Sequence, residues 1–432
     1  MTRNILKVAP LFAVLTLTAC GDLFTVKNPG SIQDDDLNSV EGVSALVVGM
    51  SSDFSVAIDE LAFLIGRASD EMAGSGSYFN TGLFRRGIFD REDMNGYWAR
   101  SHRARWVAEN GIERMQAIEG YTFANNPLTA RAFLYAGLNN RVLGELFCEA
   151  VFTDDPLVPG AAEPRSAYFN RAIPQLQAAV THGAGTPIAE AAHGALAQAY
   201  VGLGDWTNAA AQAAMVSDDF VYDAIYSPNS GRENNVLWDE THGRPEMSAY
   251  AALASTFAEP GDPRAPWTNC TRIHPDSIKN GAAAADPTCT NVNGADGTTP
   301  NYQQMKYLDD GAEIPVVKGT EMRLIRAEAA LQGTPDLAAF TTHVNAARAV
   351  YGIGAVAQPA DLAAAQALLD QERHLTLWLE GRRLFDLDRW DHAFLSGGSI
   401  VYPGEANRAR CIPISDTECQ TNNVIRGTAS CS

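Results

Sequence analysis

Acidic and basic side chains are interspersed with apolar ones in residues 371–390, near the end of this chain of 432 residues. Two carboxylates that face each other across a cleft could act as general acid and base on a glycosidic bond. Here, however, each acid has an arginine within about one helical turn, which favours ion pairs. The spacing predicts one helix with an apolar stripe (Leu375, Trp378, Leu379) beside a ladder of charges (Glu380, Arg383, Asp386). We therefore expect this segment to be structural and not catalytic.

The strong sequence signatures of common enzyme classes do not occur in the chain. It has no Gly-x-Ser-x-Gly elbow, no His-Glu-x-x-His helix, no Walker loop and no dinucleotide fingerprint. The eight histidines are scattered and predict no metal site. Residues 291–297 faintly resemble a calcium loop but lack its closing bidentate glutamate. No cofactor and no metal is predicted.

The overall charge argues against a nucleic-acid partner. The net charge is -19 and the isoelectric point is about 4.8, whereas phosphate binding depends on clustered lysines and arginines. Hydrophobic residues make up 46% of the chain and charged residues 19%. Such a composition is that of an ordinary globular protein with a large core.

The N-terminus has the layout of a lipoprotein signal peptide. Arg3 and Lys7 precede an apolar run, Val8–Leu17, that is too short to span a bilayer. The run ends in Leu-Thr-Ala followed by Cys20. The sequence therefore predicts a signal peptide over residues 1–19, cleavage before Cys20 and a membrane anchor of lipid on its thiol. The alternative is an ordinary secretory signal in which the cysteine is incidental.

Six further cysteines remain, an even number in a chain that is predicted to be exported. Disulfide bonds are the expected state of such cysteines. Sequence leaves the pairing open, although Cys270 with Cys289 would close a compact loop. The six are Cys148, Cys270, Cys289, Cys411, Cys419 and Cys431.

Apolar spacing predicts helices over residues 53–216, a loop-rich insertion with a few short strands over 221–315, and further helices and a tail over 319–432. Small residues and a Leu-Gly-Asp turn in Gly194–Ala209 are typical of a tetratricopeptide-type hairpin. The fold class predicted is mostly all-α, built of such hairpins. Further predictions are hairpins of Arg105–Ile118 with Ala130–Phe147 and of Arg323–Gly333 with Leu337–Val350, a helix over Pro359–Arg389, and a strand at Asn235–Trp238.

The segment Gln371–Trp390 resembles the C-terminal signature of the SusD/RagB family of outer-membrane nutrient-binding lipoproteins. Thr376 departs from the family, which usually has an acid there. Weaker similarity covers Met322–Ala330, Ala130–Tyr135 and Cys411–Ser415. The signature positions fall on Glu372, Arg373, Glu380, Gly381, Arg383, Asp386, Leu387, Arg389 and Trp390.

This resemblance implies a single SusD-like domain over residues 20–432, anchored by lipid to the outer membrane and facing the cell exterior. It further implies a protein without enzymatic activity that captures oligosaccharides or similar nutrients. The partner implied is a SusC-like, TonB-dependent outer-membrane transporter. Two rival hypotheses are a surface glycoside hydrolase and a helical-repeat scaffold that binds only proteins.

Capture of a sugar requires flat aromatic faces together with amides or carboxylates that meet its hydroxyl groups. Two loop regions of the sequence offer both kinds of group, one in a Gly/Ser-rich stretch between predicted helices and one in the insertion. A single aromatic residue in such a loop more often packs than binds. The predicted ligand residues are Tyr78, Phe79, Asn80, Tyr97, Trp98, Trp238, Asp239, Trp267 and Tyr302.

Overall fold

The structure is a computed structural model that describes residues 34–153, 158–258, 261–272, 289, 291–397 and 406–432. The predicted signal peptide and Cys20 lie outside the described residues, as does part of the insertion. Among the described residues, no helix combines the length and apolar character needed to cross a membrane.

Helices dominate the N-terminal half, as predicted. The first begins at Val43, ten residues before the predicted start of the helical region. The helices are α1 (Val43–Ala68), α2 (Thr81–Phe84), α3 (Asn95–Ala117), α4 (Pro127–Leu146), α5 (Ser166–His182), α6 (Pro187–Gly202) and α7 (Trp206–Ala213).

Helix starts in this half follow ordinary capping chemistry. The side chains of Asn126 and Thr186 accept from backbone amides at the starts of α4 and α6, and a proline stands at the first position of each helix. The Asp205 carboxylate accepts from the amide of Asn208 and starts α7. These caps fix the short turns between neighbouring helices.

Neighbouring helices pack as hairpins: α3 with α4, α5 with α6, and α6 with α7. The predicted tetratricopeptide-type pair is therefore confirmed as α6 and α7. Gly202 has no space for a side chain, since a Cβ there would lie 2.3 Å from the ring of Phe169. A Cβ at Gly194 would lie 2.2 Å from Val317. Gly202 thus allows α6 to pack closely on α5, and Gly194 allows the segment that contains Val317 to approach α6.

The strands of the described residues form short antiparallel pairs. The pairs are β1 (Ala73–Gly74) with β5 (Met247–Ser248), β2 (Glu149–Val151) with β3 (Ala162–Pro164), β4 (Val221–Ala224) with β8 (Ile314–Lys318), and β6 (Trp267–Asn269) with β7 (Tyr302–Gln304). Short 3-10 turns lie at Asp34–Asn38, Leu253–Thr256, Cys270–Arg272, Ala393–Ser396 and Ala429–Cys431, and a π turn at Asp239–Gly243.

The strand predicted at Asn235–Trp238 is wrong. Val236–Trp238 forms a short helix, α8, because the Asn235 side chain accepts from the amide of Trp238 and caps the turn. An asparagine cap competes with the extended conformation that the apolar residues favour.

The C-terminal helices are α9 (Gly319–Ala330), α10 (Leu337–Val350), α11 (Leu362–Thr376), α12 (Arg383–Arg389) and α13 (Asp416–Thr421). The predicted pair of α9 and α10 is confirmed. The single helix predicted over Pro359–Arg389 is wrong, because the chain leaves the helical conformation between α11 and α12. Leu379 and Gly381 have φ values of 57° and 71° there, which a right-handed helix does not allow.

This break changes the partners of the predicted charge ladder. Arg383 does not pair with Glu380 but donates to Asp70, just after α1, over 2.7 and 2.8 Å. Asp386 accepts from Arg373 on α11 over 2.8 Å. The ladder predicted within one helix is therefore wrong, although each of its charges is paired with another residue.

Buried lysines and arginines extend this network. Glu380 accepts from Lys306 and Lys318, each over 2.6 Å. Arg382 reaches Glu145 on α4 over 2.9 Å and Glu321 on α9 over 3.0 Å. The signature segment thus connects the N-terminal helices, the insertion and the C-terminal helices through charges that are shielded from water.

The six cysteines form three disulfide bonds, which assigns the pairing that the sequence left open. Cys148, just after α4, bonds to Cys411 in the C-terminal tail. Cys270 bonds to Cys289 within the insertion, and Cys419 bonds to Cys431. The tail is thereby fixed covalently against the N-terminal helices.

We expect Arg383→Ala to lower the free energy of unfolding by about 3 kcal/mol, because it leaves the carboxylate of Asp70 desolvated and without its main partner. Arg410→Ala is the control. Arg410 pairs with Asp388 and Asp391 from an exposed position, and its loss should cost less than about 1 kcal/mol. Urea unfolding of both variants provides the comparison. Equal, small losses would show that the signature network does not stabilise the fold.

Candidate functional site

A cavity of about 380 Å³ opens where the end of α1 meets the loop before α2 and the start of α3. Four of the predicted ligand residues, Tyr78, Phe79, Asn80 and Tyr97, line this cavity together. The sequence placed them in one Gly/Ser-rich stretch, and the fold closes that stretch around a common space. The full lining is Phe63, Arg67, Tyr78, Phe79, Asn80, Asp93 and Tyr97.

The loop that carries Tyr78 and Phe79 is held by the strand pair of β1 and β5. The amide of Ser75 donates to the carbonyl of Glu246 over 2.9 Å, and its hydroxyl donates to the carbonyl of Pro245 over 3.0 Å. A Cβ at Gly76 would lie 1.7 Å from the Glu246 carboxylate. Glycine is therefore required at Gly76 for the loop to approach β5 this closely.

Arg67 forms the floor of the cavity, and its side chain is almost fully buried. Its guanidinium carbon lies 3.6 Å from the centre of the Phe63 ring, a cation–π contact. The guanidinium also donates to the hydroxyl of Tyr97 over 3.2 Å. Rings and neutral oxygens hold this cation, which fixes the orientation of Tyr97 at the cavity wall.

Tyr78 joins the cavity to the insertion. Its hydroxyl donates to Glu240 over 3.4 Å, and the Arg244 guanidinium lies over its ring at 4.2 Å from the centroid. Arg244 in turn pairs with Glu246 over 2.7 Å. Tyr78 is thus held by a polar cluster and still keeps part of its ring exposed.

Phe79 stands at the mouth of the cavity and is 90% exposed. It is the most exposed large hydrophobic side chain among the residues that the structure describes. Beside it, the Asn80 side chain hydrogen-bonds to Asp93, whose pKa is raised by burial and by the charges of Asp90 and Glu92. The mouth therefore presents a free aromatic face next to amide and carboxyl groups.

Glu240 is the acid of this site with the most altered environment. Burial, followed by the charges of Glu246 and Asp239, raises the pKa of Glu240 to about 7. Its Oε2 atom has no hydrogen-bond partner among the described residues. The neighbouring acid, Glu246, is buried and paired with Arg244. Glu240 thus differs from Glu246, because one of its carboxylate oxygens has no partner among the described residues, whereas Glu246 is held by Arg244.

Tyr97 and Trp98 were predicted in a loop, and that placement is wrong, since both lie in α3. Trp98 is 5% exposed and stacks on His102 with ring centres 4.1 Å apart. Its edge lines a separate cavity of about 360 Å³ that also includes Trp106. The adjacent Tyr97 and Trp98 point to different sides of one helix, because successive helical residues are about 100° apart.

Trp267 is also buried, at 6% exposure, and its indole donates to the carbonyl of Ala254 over 2.7 Å. Tyr302 stacks on it almost in parallel, with ring centres 5.1 Å apart. Each ring covers the other, and Tyr250 packs edge-on against Tyr302. The structure places this pair in packing and away from the candidate cavity.

Trp238 and Asp239 lie next to the candidate site but do not line its cavity. Trp238 is half-buried and stacks on His242, while Asp239 is exposed. The residues that follow, Glu240 and Arg244, make the contacts to Tyr78. The sequence did not predict Glu240, Arg244 or Arg67 as residues of the site. Glu240 and Arg244 lie two and six positions after the predicted Trp238, which is a local signal, whereas Arg67 has no such signal in the sequence.

Residues 291–422 match the model of the SusD family. Solved structures with a similar fold include a SusD-like protein from Bacteroides fragilis, 14% identical, with a TM-score of 0.70 over 91% of this chain and 97% of that one. A SusD-like carbohydrate binding protein from Bacteroides vulgatus is 12% identical, with a TM-score of 0.65 over 90% and 97%. A laminarin binding SusD-like protein is 17% identical, with a TM-score of 0.55 over 87% and 97%. No protein of curated function matches the sequence.

We expect Trp98→Ala to lower the free energy of unfolding by about 3 to 5 kcal/mol, the cost of removing a buried tryptophan from a packed core. Trp106→Ala is the matched control, since it removes the same side chain from the same helix at a half-exposed position. It should cost less than about 1 kcal/mol. If Trp98→Ala unfolds no more easily than Trp106→Ala, the ring at position 98 is not part of the core.

Proposed function

We propose that this chain is a SusD-family cell-surface lipoprotein that captures oligosaccharides at the Tyr78–Phe79 cavity and passes them to a TonB-dependent transporter. The match of residues 291–422 to the SusD family model and the SusD-like fold support the proposal. The observation that carries the proposal is the 90% exposure of Phe79. A phenylalanine in this position contributes little to the fold, whereas it offers a whole face to the hydrophobic side of a sugar ring.

The groups around Phe79 suit a neutral polyhydroxylated ligand. Tyr78 adds a second ring, and Arg67 and Tyr97 form the floor. Asn80 and Asp93 supply hydrogen-bonding atoms in the lining beside both rings. An apolar surface with a few convergent polar groups is the usual composition of a small-ligand site.

The similar structures indicate which ligands to test first. One of them is described as binding laminarin and another as binding carbohydrate. Linear glucans are therefore the first probes to use with this chain. The lipid anchor and the transporter partner are proposed from the sequence before and at Cys20 and from the resemblance to the SusD family.

We predict that Phe79→Ala weakens binding of a responsive glycan at least tenfold, about 1.4 kcal/mol, with a melting temperature within a few degrees of the parent. Phe79→Tyr is the control, because it keeps the ring, and it should bind normally. Affinity electrophoresis on a glycan panel followed by calorimetry measures both variants. Normal binding by Phe79→Ala would remove the site from this cavity, and release of reducing ends by the parent protein would favour the hydrolase instead.

We predict that Cys20→Ser abolishes incorporation of a radioactive fatty acid and leaves a precursor or a soluble form. The motivation is the apolar run that ends directly before Cys20. Cys148→Ser, which removes a cysteine that lies within a disulfide bond, should still be labelled. Equal labelling of Cys20→Ser and the parent protein would contradict lipidation at this position.

A further inference from the structure

Three cavities follow one another along a single face of α1. The first is the candidate site at Phe63 and Arg67. The second, of about 320 Å³, includes Val56 and Glu60. The third, of about 490 Å³, includes Ser52 and again Val56. Spacings of three and four residues place these side chains in one row on the helix.

The length of this row follows from helix geometry. Ser52 and Arg67 are 15 positions apart in α1, and each position adds about 1.5 Å, so the row extends over roughly 22 Å. Val56 and Arg232 line both the second and the third cavity, which therefore adjoin. A ligand that reached along the row would have to be an extended chain.

The third cavity, called the far cavity below, is rich in hydroxyl groups. The Tyr222 hydroxyl donates to that of Tyr135 over 3.3 Å, and Tyr135 donates to Ser51 over 2.8 Å. Ser52 and Ser227 add further hydroxyl groups to its lining. Such a wall can donate to and accept from the hydroxyl groups of a ligand.

Ser55 is the least expected residue in this cavity. Its side chain is 4% exposed, and its Oγ atom has no hydrogen-bond partner among the residues that the structure describes. A buried unpartnered hydroxyl is costly, and serine is a weaker helix former than alanine. The fold alone gives no reason for a serine at this point in a long helix, whereas a bound hydroxyl group would satisfy it.

The remaining lining of the far cavity also suits a sugar ring. Val48 and Ile225 are both more than half exposed at its edge and offer apolar contact. Asp223 and Arg131 contribute an acceptor and a donor. The far cavity thus combines apolar and hydrogen-bonding groups, as the Phe79 cavity does, but with aliphatic side chains and tyrosines.

Two of the acids that line the middle cavity are already paired. Asp53 accepts from Arg103 and from Arg232, each over 3.2 Å, and Glu60 pairs with Arg100 over 3.3 Å. These groups form a polar rim along which a neutral chain can run without leaving an ion unpaired. A charged ligand would have to displace one of these partners.

We propose that α1 is the floor of an extended groove, and that the ligand is a neutral linear oligosaccharide whose chain runs from Phe79 to a separate ring-binding subsite in the far cavity. This inference rests on the proposed capture of oligosaccharides by the Phe79 cavity. Its consequence is selection by length: affinity rises with chain length until the chain reaches Ser55.

The test uses size-fractionated linear oligosaccharides prepared from laminarin, starch, mannan and xylan, from the disaccharide upward, titrated calorimetrically into the full chain. Ser55→Ala removes the unpartnered hydroxyl. Ser52→Trp fills the far cavity, and Ser44→Trp makes the same change on the same helix at an exposed position outside all three cavities. Thermal melting of each variant verifies folding.

We expect Ser55→Ala to melt no lower than the parent protein and to bind long chains at least threefold more weakly. Ser52→Trp should lower the affinity for long chains at least tenfold and keep the affinity for the shortest bound chain within twofold of the parent. Ser44→Trp should change neither affinity. Long chains that bind Ser55→Ala and Ser52→Trp as tightly as the parent protein overturn the far subsite. The capture site survives that result if Phe79→Ala still weakens binding at least tenfold. No binding of any series by the parent protein overturns the capture of oligosaccharides together with the groove.

Discussion

Each buried arginine of the signature segment requires an acidic partner, and the elements that supply these partners must pack against this segment. Arg373, Arg382 and Arg383 are shielded from water, where an unpaired ion costs several kcal/mol. Their partners come from distant parts of the chain. Asp70 follows α1, Glu145 lies on α4 and Glu321 on α9. Pairing is therefore possible only when these elements meet, which couples the two ends of the chain.

The same segment fixes the start of the loop that carries Tyr78 and Phe79. The indole of Trp378 donates to the carbonyl of Glu71 over 3.1 Å, and the amide of Leu379 donates to its carboxyl group over 2.7 Å. Burial raises the pKa of Glu71 to about 8. The chain continues from Glu71 through β1 to Tyr78 and Phe79. The signature segment, which does not line the candidate cavity, thus anchors the loop that carries Tyr78 and Phe79.

Local patterns predicted the elements of this fold better than its long-range partners. Spacing and small residues indicated the hairpin of α6 and α7, because hairpin contacts are close in sequence. The pairing of Arg383 with Asp70 has no local signal, and the break at Gly381 depends on a backbone conformation that periodicity does not describe. The same difference between local and long-range signals applies to the predicted ligand residues. Tyr78 and Phe79 are adjacent in a loop, whereas the burial of Trp98 and Trp267 depends on helices and strands from elsewhere.

The most direct test of this account is a crystal structure of the protein with a bound linear glucan. We predict a sugar ring stacked on Phe79, with a hydroxyl group within hydrogen-bonding distance of Asn80 or Asp93, and the chain continuing along α1. A glucan bound away from α1, with Phe79 still exposed to solvent, would contradict the account.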